Sequence, residues 1–156
     1  MKRLFIALMF LLVANTVFAE EDTPLARLSH AKTVKCFWGE GVTARLDKRK
    51  VSIEPGKWHS KPEESITVID AIDIKAGKAR LIGNQGAVDV GVVFAIGGLT
   101  IIEWTIFESP SIITIFPQLT PEGDRFFAVM SRHINIPTKG ALPSQYYGMA
   151  EIMAEQ

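Results

Sequence analysis

From Lys32 to Ile134 the chain is cut by turn residues into nine short runs rich in Val, Ile, Thr and Phe, a spacing that suits sheet and leaves helix little room. The runs are Lys32 to Trp38, Val42 to Leu46, Lys50 to Glu54, Ser65 to Lys75, Lys78 to Gly83, Ala87 to Ile96, Leu99 to Phe107, Ser111 to Phe116 and Arg125 to Ile134. Between them stand Gly39-Glu40-Gly41, Pro55-Gly56, Ala76-Gly77, Asn84-Gln85-Gly86, Gly97-Gly98, Glu108-Ser109-Pro110 and Pro121-Glu122-Gly123-Asp124. Gly97-Gly98 is the strongest hairpin signal, because a two-residue primed turn needs positive φ at both centres. Most connections are too short for the crossover that parallel neighbours require, so consecutive runs should pair antiparallel.

One stretch has helical character. Ser144 follows Pro143 at a capping position, and over Gln145 to Ala154 the residues Tyr147, Ala150 and Met153 or Ala154 share a face, although Gly148 weakens it. The expected fold class is therefore all-β: an antiparallel meander of eight or nine strands forming a small barrel or sandwich, with a short C-terminal helix or tail. The barrel is favoured, and both arrangements limit exposed edges. In Leu99 to Phe107 both faces are mostly apolar, which asks for cover on each side.

The first nineteen residues have the order of a signal peptide: Lys2 and Arg3, an apolar run from Leu4 to Val13, then Ala14 to Ala19, with Glu20, Glu21 and Asp22 beyond. Cleavage is expected after Ala19, because the apolar stretch falls short of the roughly twenty residues of a spanning helix. That divides the chain into a signal peptide (1–19), a loose segment or short helical turn (20–31) and a single β domain (32–156), in a periplasmic or secreted protein with no membrane span after cleavage. About 137 residues then remain, enough for one core.

Net charge is zero and the most basic patch, Lys48-Arg49-Lys50, is brief, so the positive stripe of a nucleic-acid binder is missing. A membrane-spanning barrel is the rival architecture, but the first strands are too short and charged for an apolar outer band. Cys36 is the single cysteine. It lies in a strand-like run with Val34 and Trp38 on its face, and core packing is the expected fate, with an intermolecular link or a reactive thiol as the alternatives.

Ser131-Arg132-His133, then Pro137 and Pro143-Ser144-Gln145-Tyr146-Tyr147-Gly148, resembles the C-terminal signature of a family of small exported bacterial proteins of unknown function. Cys36-Phe37-Trp38-Gly39-Glu40-Gly41 and Ile102-Glu103 resemble it as well, so the likeness spans most of the mature domain. In that pattern a second cysteine follows the tyrosine-glycine. Here Met149 and Ala150 stand in its place, and the disulfide the resemblance implies between first strand and tail is lost. The resemblance implies an envelope location and assigns no activity.

Ser131 and His133 share one side of a strand and Arg132 takes the other, which alone does not make a catalytic pair. No Gly-x-Ser-x-Gly motif occurs, and His30, His59 and His133 are too scattered to form a metal set by spacing. No cofactor is expected. Glu103 stands among apolar neighbours, where a carboxylate needs a partner, and Arg132 is the natural one. Gln145, Tyr146 and Tyr147 either line a surface site or pack over an open barrel end. The candidate binding residues are thus Glu103, Arg132, His133, Gln145, Tyr146 and Tyr147, in a noncatalytic binding or interaction module of the envelope whose partner is a small molecule or an envelope protein. Two alternatives stand beside it: an envelope hydrolase using Ser131 and His133 or Cys36, and a self-assembling structural protein.

Overall fold

The computed structural model describes residues 22–47, 50–57, 65–83, 86–104, 109–136 and 140–154. Residues 1–21, Lys48 and Arg49, residues 58–64 with His59, Asn84 and Gln85, residues 105–108 and Pro137 lie outside the described residues.

A single helical turn, α1 (Pro24–Ser29), precedes nine strands. Thr23 caps it, its Oγ1 accepting from the Ala26 amide at 3.1 Å, and Pro24 supplies a first-turn residue whose missing N–H costs nothing there. The strands are β1 (Val34–Asp47), β2 (Lys50–Lys57), β3 (Ile66–Asp73), β4 (Lys78–Gly83), β5 (Gly86–Ala95), β6 (Gly98–Trp104), β7 (Pro110–Leu119), β8 (Phe126–Ile136) and β9 (Gly140–Ile152). All neighbours are antiparallel. Strands β3 to β9 follow one another round the sheet, and β1 pairs with both β3 and β9, closing a ring of eight.

Strand β2 stands outside the ring. It pairs with the Glu40–Asp47 half of β1, while β3 pairs with the Val34–Phe37 half on the same edge. The β1–β2 hairpin therefore projects past one rim of the barrel, and α1 packs at the other, against the ends of β6 and β7.

Period-two alternation decides which side chains fill the ring. Val34, Cys36 and Trp38 face inward from β1, Ile69 from β3, Val90 and Val92 from β5, and Leu99 and Ile101 from β6. Ile113 and Ile115 come from β7, Phe126, Ala128 and Met130 from β8, and Tyr146 and Ala150 from β9. Leu28 of α1 closes the bottom and is itself fully buried. At roughly 1.5–3 kcal/mol for each large side chain, this packed interior is the main favourable term holding the ring shut. Away from the hairpin end the interior is apolar, whereas the outer wall of β3 to β5 carries Asp70, Lys78, Arg80 and Asp89.

Four sequence expectations change, the first at Pro55-Gly56, which is not a turn but lies inside β2, paired with Val42 and Gly41 of β1. Gly39-Glu40-Gly41 is not a turn but an irregularity inside one long strand, with the register to β9 shifting between Trp38 and Gly41. That shift reverses the facing of every later residue on β1. The turn before β6 is centred on Ile96 and Gly97, and the glycine with positive φ, 120°, is Gly98, where a Cβ would collide with the Ile115 carbonyl. The C-terminal helix is replaced by β9, which pairs along both edges, with β8 and with β1. Gly148 belongs there for a reason no helix supplies: a Cβ on it would meet the Phe37 carbonyl oxygen and lie 2.8 Å from the Trp38 ring. Helix does occur, but in the N-terminal segment expected to hold a short helical turn.

Candidate functional site

At the hairpin end of the barrel the interior turns polar. Glu103 on β6 lies level with Ser111 on β7, which lies level with Arg132 on β8, so the three form one row across adjacent strands. Alternation from Leu99 and Ile101, and from Ala128 and Met130, turns Glu103 and Arg132 toward the interior. Burial lowers the pKa of the Arg132 guanidinium, and the nearby Tyr146 and Glu103 offset part of that loss. Ser111 between them is buried; on β9 Ser144 lies level with Arg132, and Tyr146, one inward position deeper, lies level with Met130. Deeper in the same mouth the Trp38 indole donates to Thr67 Oγ1 at 2.9 Å, satisfying a polar atom that burial would otherwise strand.

The outer wall of the same rim forms a second feature. Val42 and Ala44 on β1 and Ile53 on β2 face Pro143, Ser144 and Gln145 on β9 and Ser131, Arg132 and His133 on β8 across a groove of about 250 Å³. The bend at Trp38 to Gly41 builds it, because the shifted register turns Val42 and Ala44 outward beside β9. Along its floor Gln145 Nε2 donates to Ser131 Oγ at 3.2 Å, and Tyr147 Oη donates to Gln145 Oε1 at 2.9 Å.

From the groove an apolar strip continues round the outside. Val129 lies opposite Tyr147, Met149 opposite both Phe127 and Phe37, and Ile112 opposite Ile102, with Trp104 at its far end. Tyr147 is 51% exposed and Trp104 69%. The cover expected over both faces of β6 is α1 at its end, and its outer face ends in that exposed tryptophan.

The six candidate residues therefore divide between two places. Glu103, Arg132 and Tyr146 gather in the barrel mouth; His133, Gln145 and Tyr147 lie on the outer wall, and the backbone of β8 and β9 joins the two sets. Sequence reasoning missed Val42, Ala44, Ile53 and Pro143. Their signal was present as alternation in Val42-Thr43-Ala44-Arg45-Leu46 and Val51-Ser52-Ile53, two amphipathic runs whose apolar faces coincide once they pair.

For the hydrolase alternatives, the Ser131 hydroxyl is engaged by Gln145, and Cys36 is fully buried, its thiol pushed up to about 12 by desolvation. A thiolate is the reactive form, so such a thiol is inert at neutral pH. Among the described residues no group of three or more His, Cys, Asp or Glu is placed to hold a metal ion. Compared with protein-family models, with curated proteins and with solved structures, the chain finds no match.

Proposed function

We propose that this protein is a noncatalytic interaction module of the bacterial envelope that receives a protein partner on the outer wall of β8 and β9 beside the β1–β2 hairpin. One observation carries the reading: the barrel interior is filled by side chains such as Trp38, Phe126 and Met130, so concave space lies outside the ring. At about 250 Å³ this groove is smaller than the roughly 300–1,000 Å³ of ordinary small-molecule sites, which favours a protein surface there over a free metabolite, although a larger hollow of about 510 Å³ lies at the opposite rim between His30, Lys32, Asp73 and Lys75. Exposed aromatic and aliphatic side chains bordered by Ser131, Gln145 and His133 have the composition of an interface: an apolar centre and a polar rim. The leader-like first nineteen residues support the envelope location.

Photo-crosslinking in the intact cell tests this. A benzoylphenylalanine at Tyr147 or His133 is expected to give an adduct that contains a different polypeptide, while the same group at Asp89, on the opposite wall, gives none. Equal adducts at all three positions, or none at Tyr147 and His133, would reject the reading.

A further inference from the structure

We infer that the free edge of β2 pairs with the same edge of a second copy, so that two barrels share one continuous sheet. Among the described residues β2 is the terminal strand of the sheet and pairs only with β1. Its outward-facing Val51 and Ile53 are 63% and 70% exposed, an unusual burden for β-branched residues on an open edge.

The sequence of that edge is complementary to itself. In an antiparallel pairing with Ser52 on the two-fold axis, Lys50 falls opposite Glu54 of the second copy, and Val51 falls opposite its Ile53. Symmetry repeats both pairs, giving two ion pairs and two apolar pairs from five residues. Other registers lose this match. A slip of one residue sets apolar side chains against polar ones, and centring on Ile53 puts Val51 against Pro55 and Lys50 against Gly56.

Lysine and proline commonly guard open edges against unwanted strands. Here Pro55, with no N–H to give, ends the pairing just beyond Glu54, and Lys50 repels strange edges while finding a carboxylate on its own copy. The guard therefore selects for self.

Sedimentation velocity over a concentration series tests the pairing. The wild type is expected to show a reversible monomer–dimer equilibrium. Lys50→Glu and Glu54→Lys each place like charges opposite twice and should weaken it by roughly tenfold. The double swap Lys50→Glu/Glu54→Lys should return it to within roughly twofold of the wild type. Lys50 and Glu54 are both exposed, so circular dichroism should show the barrel intact in each of these variants. Ser52→Cys, on the axis, should form a disulfide-linked dimer on mild oxidation, and Lys50→Cys should not. A wild type monomeric up to millimolar concentration, a double swap without recovery, or equal crosslinking at Ser52→Cys and Lys50→Cys would overturn the inference. Ile53 borders both the groove and this edge, but Tyr147 lies on β9 away from β2, and its adduct is scored by a different polypeptide rather than a second copy, so either proposal can fail alone.

Discussion

Cys36 and Ala150 stand directly opposite each other across β1 and β9, both fully buried, at the seam that closes the barrel. Opposed residues in an antiparallel pair have Cα atoms about 4.5–5.5 Å apart, inside the range a disulfide tolerates. Met149 and Ala150 stand where the sequence resemblance would put a second cysteine, and of the two it is Ala150 that faces Cys36. Ala150→Cys is therefore expected to bond to Cys36 under oxidising conditions and to stabilise the fold by about 4 kcal/mol, since the linked loop spans most of the domain. Thiol titration of the oxidised, denatured variant checks this; two free thiols would refute it.

Cys36 itself should make stability fall at alkaline pH. Its thiol keeps its proton in the folded chain up to about 12 because burial penalises the thiolate, whereas in the unfolded chain it ionises near 9.0. Between those values the folded state holds more protons than the unfolded one, so unfolding free energy drops as pH rises, by roughly 1 kcal/mol per pH unit for this group. Urea melts from pH 8 to 11 should show that slope, and Cys36→Ala should lack it. At neutral pH, labelling by iodoacetamide should proceed only through unfolding.

Thr67→Val should cost about 1–3 kcal/mol although it preserves volume, because it leaves the Trp38 indole N–H buried without its acceptor. Thr67→Ser keeps the oxygen and should lose less. Chemical denaturation followed by tryptophan fluorescence distinguishes the two variants.

On the polar wall, Asp70 receives hydrogen bonds from Arg80 at 2.6 Å and from Thr33 at 3.0 Å. The Arg80 bond, then the Ala71 amide and Thr33, hold the carboxyl below its ordinary value. Its stabilising effect is thus present above the ordinary carboxylate pKa and is lost as pH falls through the depressed folded value. Arg80→Ala should raise the Asp70 pKa, measured by carboxyl chemical shift against pH.

The strands were legible because turn residues cut the chain into short runs rich in Val, Ile, Thr and Phe, and because period-two alternation shows in runs such as Val42-Thr43-Ala44-Arg45-Leu46 and Lys78-Ala79-Arg80-Leu81. The level row of Glu103 and Arg132 was legible for a related reason: two charges in apolar strands must find company. The tail was misread because Tyr147 and Ala150 fit a helical face as well as Tyr146, Gly148 and Ala150 fit one side of a strand. The choice fell to β1, whose open edge lies more than a hundred residues earlier in the chain. The groove was hidden for the same reason, since Val42 and Pro143 become neighbours only when first and last strands meet.

That seam also governs when the molecule can exist at all. Because β1 finds its second neighbour only in β9, a chain interrupted anywhere before Gly140 leaves an open sheet with two bare margins instead of a smaller barrel. Synthesis must therefore pass β9 before the ring can shut, and every product that stops short of it is a substrate for aggregation or proteolysis.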